Sequence, residues 1–281
     1  MRKPQVAIVG AGSLADFMAP ALRKSGYTIT EIISRDSPRS LLNARRLAKK
    51  VGARAGNPNT ATLDAALLWF CVPDREIRAA AASLADRAGD EVRFAFHSSG
   101  ALTSRELDPL RKRGIAVASV HPLMTFVAGG RPSLAGVPFA VEGDASAARM
   151  ARSIVRDLGG DYFPLPAKRK VAYHAWATLT SPLLLAFLVT LEDAAVVAGL
   201  TREDARRKSL PIIRQTLENY ARLGPQNSFS GPIIRGDVET IAKHLVGLKK
   251  HSEARDVYIA LARSALRRLP VKNQRELGRL L

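Results

Sequence analysis

Short apolar runs broken by glycine or polar turns recur through the first 165 residues of the chain. Val6-Ala7-Ile8-Val9 runs straight into Gly10-Ala11-Gly12, and a helical segment from Ala15 to Lys24 follows and closes at Ser25-Gly26. Tyr27–Ile33 is rich in β-branched residues and reads as a second strand, with a helix over Leu41–Lys50 behind it. Leu67–Val72 is apolar without interruption, as expected of a parallel strand covered on both faces. Pro73-Asp74 stops it, and a helix over Ile77–Asp86 comes next. Val92–Phe96, Ile115–Val120 and Val137–Val141 are further strands, with a helix opening near Thr103 or Ser104 and another over Asp144–Leu158. Tyr162-Phe163-Pro164 is a last short edge strand.

From Pro166 the alternation gives way to helix after helix. Ala167–Gly199 is one long apolar helix that Pro182 should kink. Thr201–Leu223 is amphipathic and opens with Arg202-Glu203-Asp204, and Gly224–Pro232 is a loop. Asp237 is placed to cap a helix reaching about His251, and Ser252–Leu269 with a short tail ends the chain. The pattern predicts an α/β domain over 1–165 with a doubly wound, mostly parallel sheet, then an all-helical domain over 166–281. There is no internal repeat and no low-complexity segment.

The 281 residues suffice to bury a substantial core, and 47% hydrophobic with 24% charged residues is ordinary for a soluble globular protein. A single cysteine, Cys71, excludes a disulfide framework and fits a reducing cytoplasm. Met1-Arg2-Lys3 before an apolar run mimics a secretory leader, but Gly10, Gly12 and Asp16 interrupt that run. Leu183–Leu200 holds Glu192 and Asp193 and is short for a bilayer, so no membrane partner is expected. The net charge of +18 is spread along helical segments with no basic tail and few interleaved aromatics. That distribution favours an anionic cofactor and substrate over nucleic acid.

The spacing Gly10-x-Gly12-x-x-Ala15 after a buried strand carries the first chemical signal. In a dinucleotide fold the first glycine makes the turn, the second lets the backbone approach a pyrophosphate, and a small third residue packs helix on strand. Gly10, Gly12, Ser13 and Leu14 are therefore candidates to hold a pyrophosphate at a helix N-terminus. The second strand ends in Ser34-Arg35-Asp36-Ser37. An arginine there suits a 2′-phosphate, so Ser34 and Arg35 point to NADP, while Asp36 keeps NAD open as the lesser choice. The same four residues also suit a helix cap. Val72, Pro73 and Asp74 lie at the carboxyl end of a strand, where open α/β sheets bind ligands. Two more strands each deliver a histidine at that end, in His97-Ser98-Ser99-Gly100-Ala101 and in His121-Pro122-Leu123-Met124. Cys71 reads as a packing residue. No metal-ligand spacing stands out.

The combination resembles two-domain proteins with an N-terminal Rossmann-like domain and a helical C-terminal domain of poorly characterised function. That group is placed with NADP-dependent reductases of the 6-phosphogluconate-dehydrogenase-like superfamily. Pyrroline-5-carboxylate reductase, ketopantoate reductase and prephenate dehydrogenase are distant relatives by architecture. The residues carrying the resemblance are the Gly10–Ala15 turn, Cys71-Val72-Pro73-Asp74, the two histidine segments, Lys170 with Tyr173-His174-Ala175, and Ser230–Asp237. One departure is Pro182, eight residues past His174, where the family pattern usually has an asparagine.

Lys170 and His174 are four apart and share a helix face. The resemblance implies that such a lysine and its polar partner serve a reductase, one donating a proton and the other orienting the substrate. The alternative is a solvated Lys168-Arg169-Lys170 run with a core histidine. On this basis Ser98 and Ser99 approach the nicotinamide, and His97, His121, Lys170 and His174 face a small-molecule substrate. Arg235 is a candidate clamp for a substrate carboxylate, unless its segment is only a helix-entry turn. The resemblance also implies a homodimer. The expected activity is hydride transfer between NADP and a small carbonyl or imine compound between the two domains. A non-catalytic NADP-binding sensor, favoured by Pro182, is the alternative.

Overall fold

A computed structural model describes residues 3–127, 129–130 and 133–281, so Met1 and Arg2 of the leader-like opening lie outside it. The chain divides into two compact units, Met1–Thr178 and Leu179–Leu281. The first thus runs past the change of pattern near residue 165, because the first turns of the following helix bury Lys170 and Tyr173 in it.

The first unit is built on one eight-stranded sheet of β1 (Val6–Val9), β2 (Ile29–Ile33), β3 (Arg54–Gly56), β4 (Leu67–Phe70), β5 (Phe94–His97), β6 (Ala116–Pro122), β7 (Pro138–Gly143) and β8 (Asp161–Pro164). Their order is β3-β2-β1-β4-β5-β6-β7-β8. Every neighbouring pair is parallel except β6 with β7. The order reverses between β1 and β4, which leaves a crevice beyond their carboxyl ends.

Alternation along the strands sends side chains to two cores, one on each face of the sheet. Val6 and Ile8 meet the face covered by α1 (Ser13–Lys24), α2 (Pro38–Val51) and α5 (Ala145–Asp157). Ala7 and Val9 meet the face covered by α3 (Ile77–Ala85) and α4 (Asp108–Arg111). Ala15, Met18, Ala19 and Leu22 form the buried stripe of α1, and Ala147, Ala151, Ile154 and Val155 that of α5. Each large apolar side chain so buried contributes about 1.5–3 kcal/mol relative to exposure.

One expected element takes a different form, and one strand was not expected. The helix near Thr103 begins as a 3₁₀ turn over Ser104–Leu107, held by Glu142 accepting from the Ser104 amide and hydroxyl, before α4. The edge strand β3 lacks a sequence signature because Arg54 and Ala55 are exposed. It is fastened by the buried Glu31 carboxylate, which accepts from Arg54 at 2.9 Å and from the Thr62 amide at 3.2 Å.

The second unit is helical. α6 (Lys170–Thr180) ends at the unit boundary, and α7 (Pro182–Val197) starts afresh with Pro182 in its first turn, so the expected kink is a break at Ser181. α8 (Arg202–Ser228) is bent at Gly224, and α9 (Pro232–Arg235), α10 (Val238–Gly247), α11 (Ser252–Arg268) and α12 (Gln274–Leu280) follow. Asp237 caps α10, accepting from the Thr240 amide at 3.0 Å. An 18-residue window within Ala167–Val197 has a mean hydropathy of 1.6, apolar enough to cross a membrane by length and composition alone, although the helix is interrupted at Ser181.

Gly10 sets the turn at the end of β1. Its φ is +108°, and a Cβ there would lie 2.5 Å from the Cys71 carbonyl oxygen. Gly10→Ala should therefore destabilise the first unit by roughly 2 kcal/mol or more, through both the strained φ and the overlap. Equilibrium denaturation tests this, and an unchanged midpoint would refute the account of the turn.

Candidate functional site

Two groups of side chains gather at the carboxyl ends of the strands. The first surrounds a cavity of about 440 Å³ where β1 and β4 part. Gly10, Gly12, Ser34, Arg35, Val72 and Pro73 line it, all six of them expected from the sequence. A Cβ built on Gly12 would meet no atom within 4 Å, so the backbone there is open to a ligand. Ser13 and Leu14 open α1 beside the cavity without lining it, and their amides belong to the first turn, where helices leave N–H groups unpaired. Ser40 and Asn43 of α2, Ala79, Ala80, Ser83 and Leu84 of α3, Pro58 of the loop after β3 and Glu76 of the turn after β4 also line it. No spacing in the sequence marked these.

The second group sits at the ends of β5 and β6 with the start of α6. Lys170 is only 1% exposed, and its Nζ donates to the Ser99 carbonyl at 2.9 Å and to Ser119 Oγ at 2.6 Å. Burial pulls its pKa down to about 8, against the raising influence of Glu142 and Asp74. His121, half-buried, pairs through Nδ1 with the Tyr173 hydroxyl at 2.8 Å, and its ring stands edge-on to that of His174 with centroids 6.1 Å apart. Burial, then the Lys170 charge, lowers the His121 pKa to about 3, so the ring is neutral. Burial likewise pushes Tyr173 up to about 12, so its phenol keeps its proton. Gly100 is required by close approach, since a Cβ there would fall 2.6 Å from His174 Cδ2 and 2.9 Å from His121 Nε2. Tyr173 and Ser119 are the residues that sequence reasoning did not assign a role. Tyr173 belonged to a noted motif, whereas a serine inside a strand carries no signal.

The other expected residues are turned to different work. His97 is fully buried: its Nδ1 accepts from the Ser99 amide at 3.1 Å, and its Nε2 faces the Thr103 carbonyl at 2.9 Å. A neutral ring with Nε2 protonated satisfies both contacts, and the imidazole braces the turn instead of facing outward. Ser98 Oγ accepts from the buried Trp69 indole at 2.9 Å. Ser99 Oγ donates to Asp74 at 2.7 Å and accepts from the Ala101 and Leu102 amides. Asp74 thus ties the β4 loop to the β5 loop, outside the cavity lining. Arg235 ends α9 in the second unit, exposed and without a salt bridge among the described residues. No His, Cys, Asp or Glu cluster suited to a metal occurs among the described residues.

The comparisons support the fold that carries these groups. Residues 1–122 match the model of a Rossmann-like domain, and residues 137–265 match a domain of unknown function, DUF2520. The second match begins at β7, inside the sheet. Among solved structures, a protein from Bacteroides fragilis provisionally named an NADP oxidoreductase is 22% identical, with a TM-score of 0.76 over 94% of this chain and 98% of that one. A protein from Thermotoga maritima is 25% identical, with a TM-score of 0.71 over 92% of this chain and 97% of that one. A reductive aminase from Aspergillus terreus, in complex with NADPH and ethyl-5-oxohexanoate, shares the fold at 15% identity with a TM-score of 0.66 over 99% of this chain and 100% of that one. No functionally curated protein matches the sequence.

The His97 environment has a pH signature. Burial lowers its pKa from 6.5 to about 4. As pH falls, the unfolded chain takes up this proton first, so stability declines from about pH 6.5 and the loss is complete below about pH 4. The full contribution is roughly 3 kcal/mol. Whatever its effect at neutral pH, His97→Gln should flatten the fall in unfolding free energy across that window. Parallel curves for the two proteins would show that His97 is not held neutral.

Proposed function

We propose that this pairing of a Rossmann-like domain with a DUF2520 domain is an NADPH-dependent oxidoreductase that reduces a small carbonyl or imine compound. The observation that carries the reading is the cradle at the end of β1. Gly10 is left-handed and pressed on Cys71, Gly12 is open, and Arg35 supplies a cation across the cavity. The residues present fit a phosphorylated dinucleotide. Gly10, Gly12 and the amides of Ser13 and Leu14 would hold the pyrophosphate, Ser34 and Arg35 the 2′-phosphate, and Val72 and Pro73 would border the adenosine. The name of the Bacteroides fragilis protein and the NADPH in the Aspergillus terreus structure support this choice.

NADPH, when bound, supplies the hydride, and the chain supplies place and a proton. In this reading Tyr173 donates to His121 Nδ1, which puts the neutral ring's proton on Nε2, the edge beside Gly100 and His174. On the same reading His121 and His174 contact the substrate, and Lys170 and His97 act through the Ser99 turn that they hold.

NADPH should bind the full chain more tightly than NADH, and Arg35→Ala should erase the preference. With a panel of keto acids and cyclic imines, absorbance should report NADPH consumption. Lys170→Met should slow turnover severalfold or more while leaving coenzyme affinity nearly intact. Tight binding with no consumption would favour a non-catalytic sensor, and no binding would overturn the assignment altogether.

The second unit is assigned to self-association. Leu183, Leu185 and Val189 of α7 are exposed, α7 buries no residue, and it carries no charge before Glu192. Such a face is costly in water, and burying it against a second copy would offset the repulsion of two chains of net charge +18. Sedimentation should give about twice the 30.3 kDa chain mass, and Leu185→Glu should halve it. A monomeric wild type would refute the assignment, and recovery only with membranes would transfer the face to lipid.

A further inference from the structure

Of the residues lining the coenzyme cradle, two are charged, Arg35 and Glu76, and they are paired with each other. Arg35 Nη1 stands 3.0 Å from Glu76 Oε1. Arg35 comes from the end of β2, whereas Glu76 comes from the 3₁₀ turn Asp74–Glu76 that follows β4. The ion pair therefore spans the crevice from one strand end to the other. Its partners are unequally exposed, with the arginine side chain 70% accessible and the glutamate 22%. Glu76 is the fixed member, and Arg35 is free to swing. Arg75 is the other cation near this carboxylate, 3.9 Å away, almost fully exposed and outside the lining.

We propose that Glu76 sets coenzyme preference by competing with the 2′-phosphate for Arg35 and by accepting from the adenosine ribose hydroxyls when that phosphate is absent. This rests on the coenzyme reading above and refines it. A phosphate entering beside Arg35 takes over the guanidinium and leaves the carboxylate facing a second anion a few ångströms away. With an unphosphorylated ribose, the ion pair survives and the second Glu76 oxygen is available as an acceptor. The acid that tempers the arginine is thus Glu76, brought in by β4 two strands away, and not Asp36, which follows Arg35 in sequence but does not line the cavity. The consequence is a modest preference for NADPH where a bare arginine would give a strong one.

The test is a double-mutant cycle on the full chain, titrating NADPH and NADH against wild type, Glu76→Gln, Arg35→Ala and the double variant. Glu76→Gln should raise the NADPH-to-NADH affinity ratio about fivefold, the scale of an exposed charge pair. In the Arg35→Ala background the same change should raise the ratio by a smaller factor, since only the direct action of the carboxylate on phosphate and ribose remains. Titration with 2′,5′-ADP and 5′-ADP should reproduce both results without the nicotinamide. An unchanged or lowered ratio in Glu76→Gln overturns the proposal, as does an equal effect with Arg35 removed. If wild type binds neither coenzyme, the underlying reading fails with it. If both bind and the ratio does not move, only the role of Glu76 fails.

Discussion

A buried ammonium group holds the histidine cluster together. Lys170 Nζ is inside the first unit with no carboxylate against it, and its bonds go to the Ser99 carbonyl and to Ser119 Oγ. An unpaired buried charge costs several kcal/mol unless oxygens replace its water, so these two acceptors are obligatory. They lie on β6 and on the loop after β5, and the lysine opens α6. One side chain therefore fixes three elements at a point. Tyr173 and His174, the next residues on the same helical face, arrive beside His121 as a consequence of helical spacing.

The same loop is held from the opposite side by Asp74, which accepts from Ser99 Oγ. Two residues later, in the same short 3₁₀ turn, Glu76 reaches Arg35. The turn after β4 thus has one acidic end on the histidine group and the other on the coenzyme cradle.

Much of the first unit was legible because parallel strands covered on both faces must be apolar throughout, and Leu67–Phe70 announces itself that way. The glycine turn was legible for a backbone reason, since only glycine tolerates the φ at position 10. What escaped was set by tertiary pairing. β3 is a strand because Glu31 grips Arg54, not because Arg54-Ala55-Gly56 prefers to be one. α12 follows a left-handed Asn273 that no propensity announces. Among site residues, histidines at two strand ends were visible as a pattern, but their different fates were not. His97 is consumed by its own turn, and His121 keeps one ring nitrogen without a partner among the described residues. Burial decides that difference, and burial depends on how far α6 descends onto each strand end.

Pro182 shows how one residue alters the meaning of a helix. The resemblance places an asparagine at this position, on a helix continuing from Lys170. A proline has no N–H to offer the carbonyl one turn back, so α6 stops at Thr180 and α7 starts at Pro182 itself. The break falls after the residues that build the histidine group, which leaves Lys170, Tyr173 and His174 on an intact helix. It falls just past the boundary between the units, inside the second. The composition of α7 follows suit, with Leu183, Leu184 and Leu185 in a row where a helix committed to one buried face would alternate with polar residues. Proline at this position therefore offers no polar side chain and makes α7 a separate apolar element.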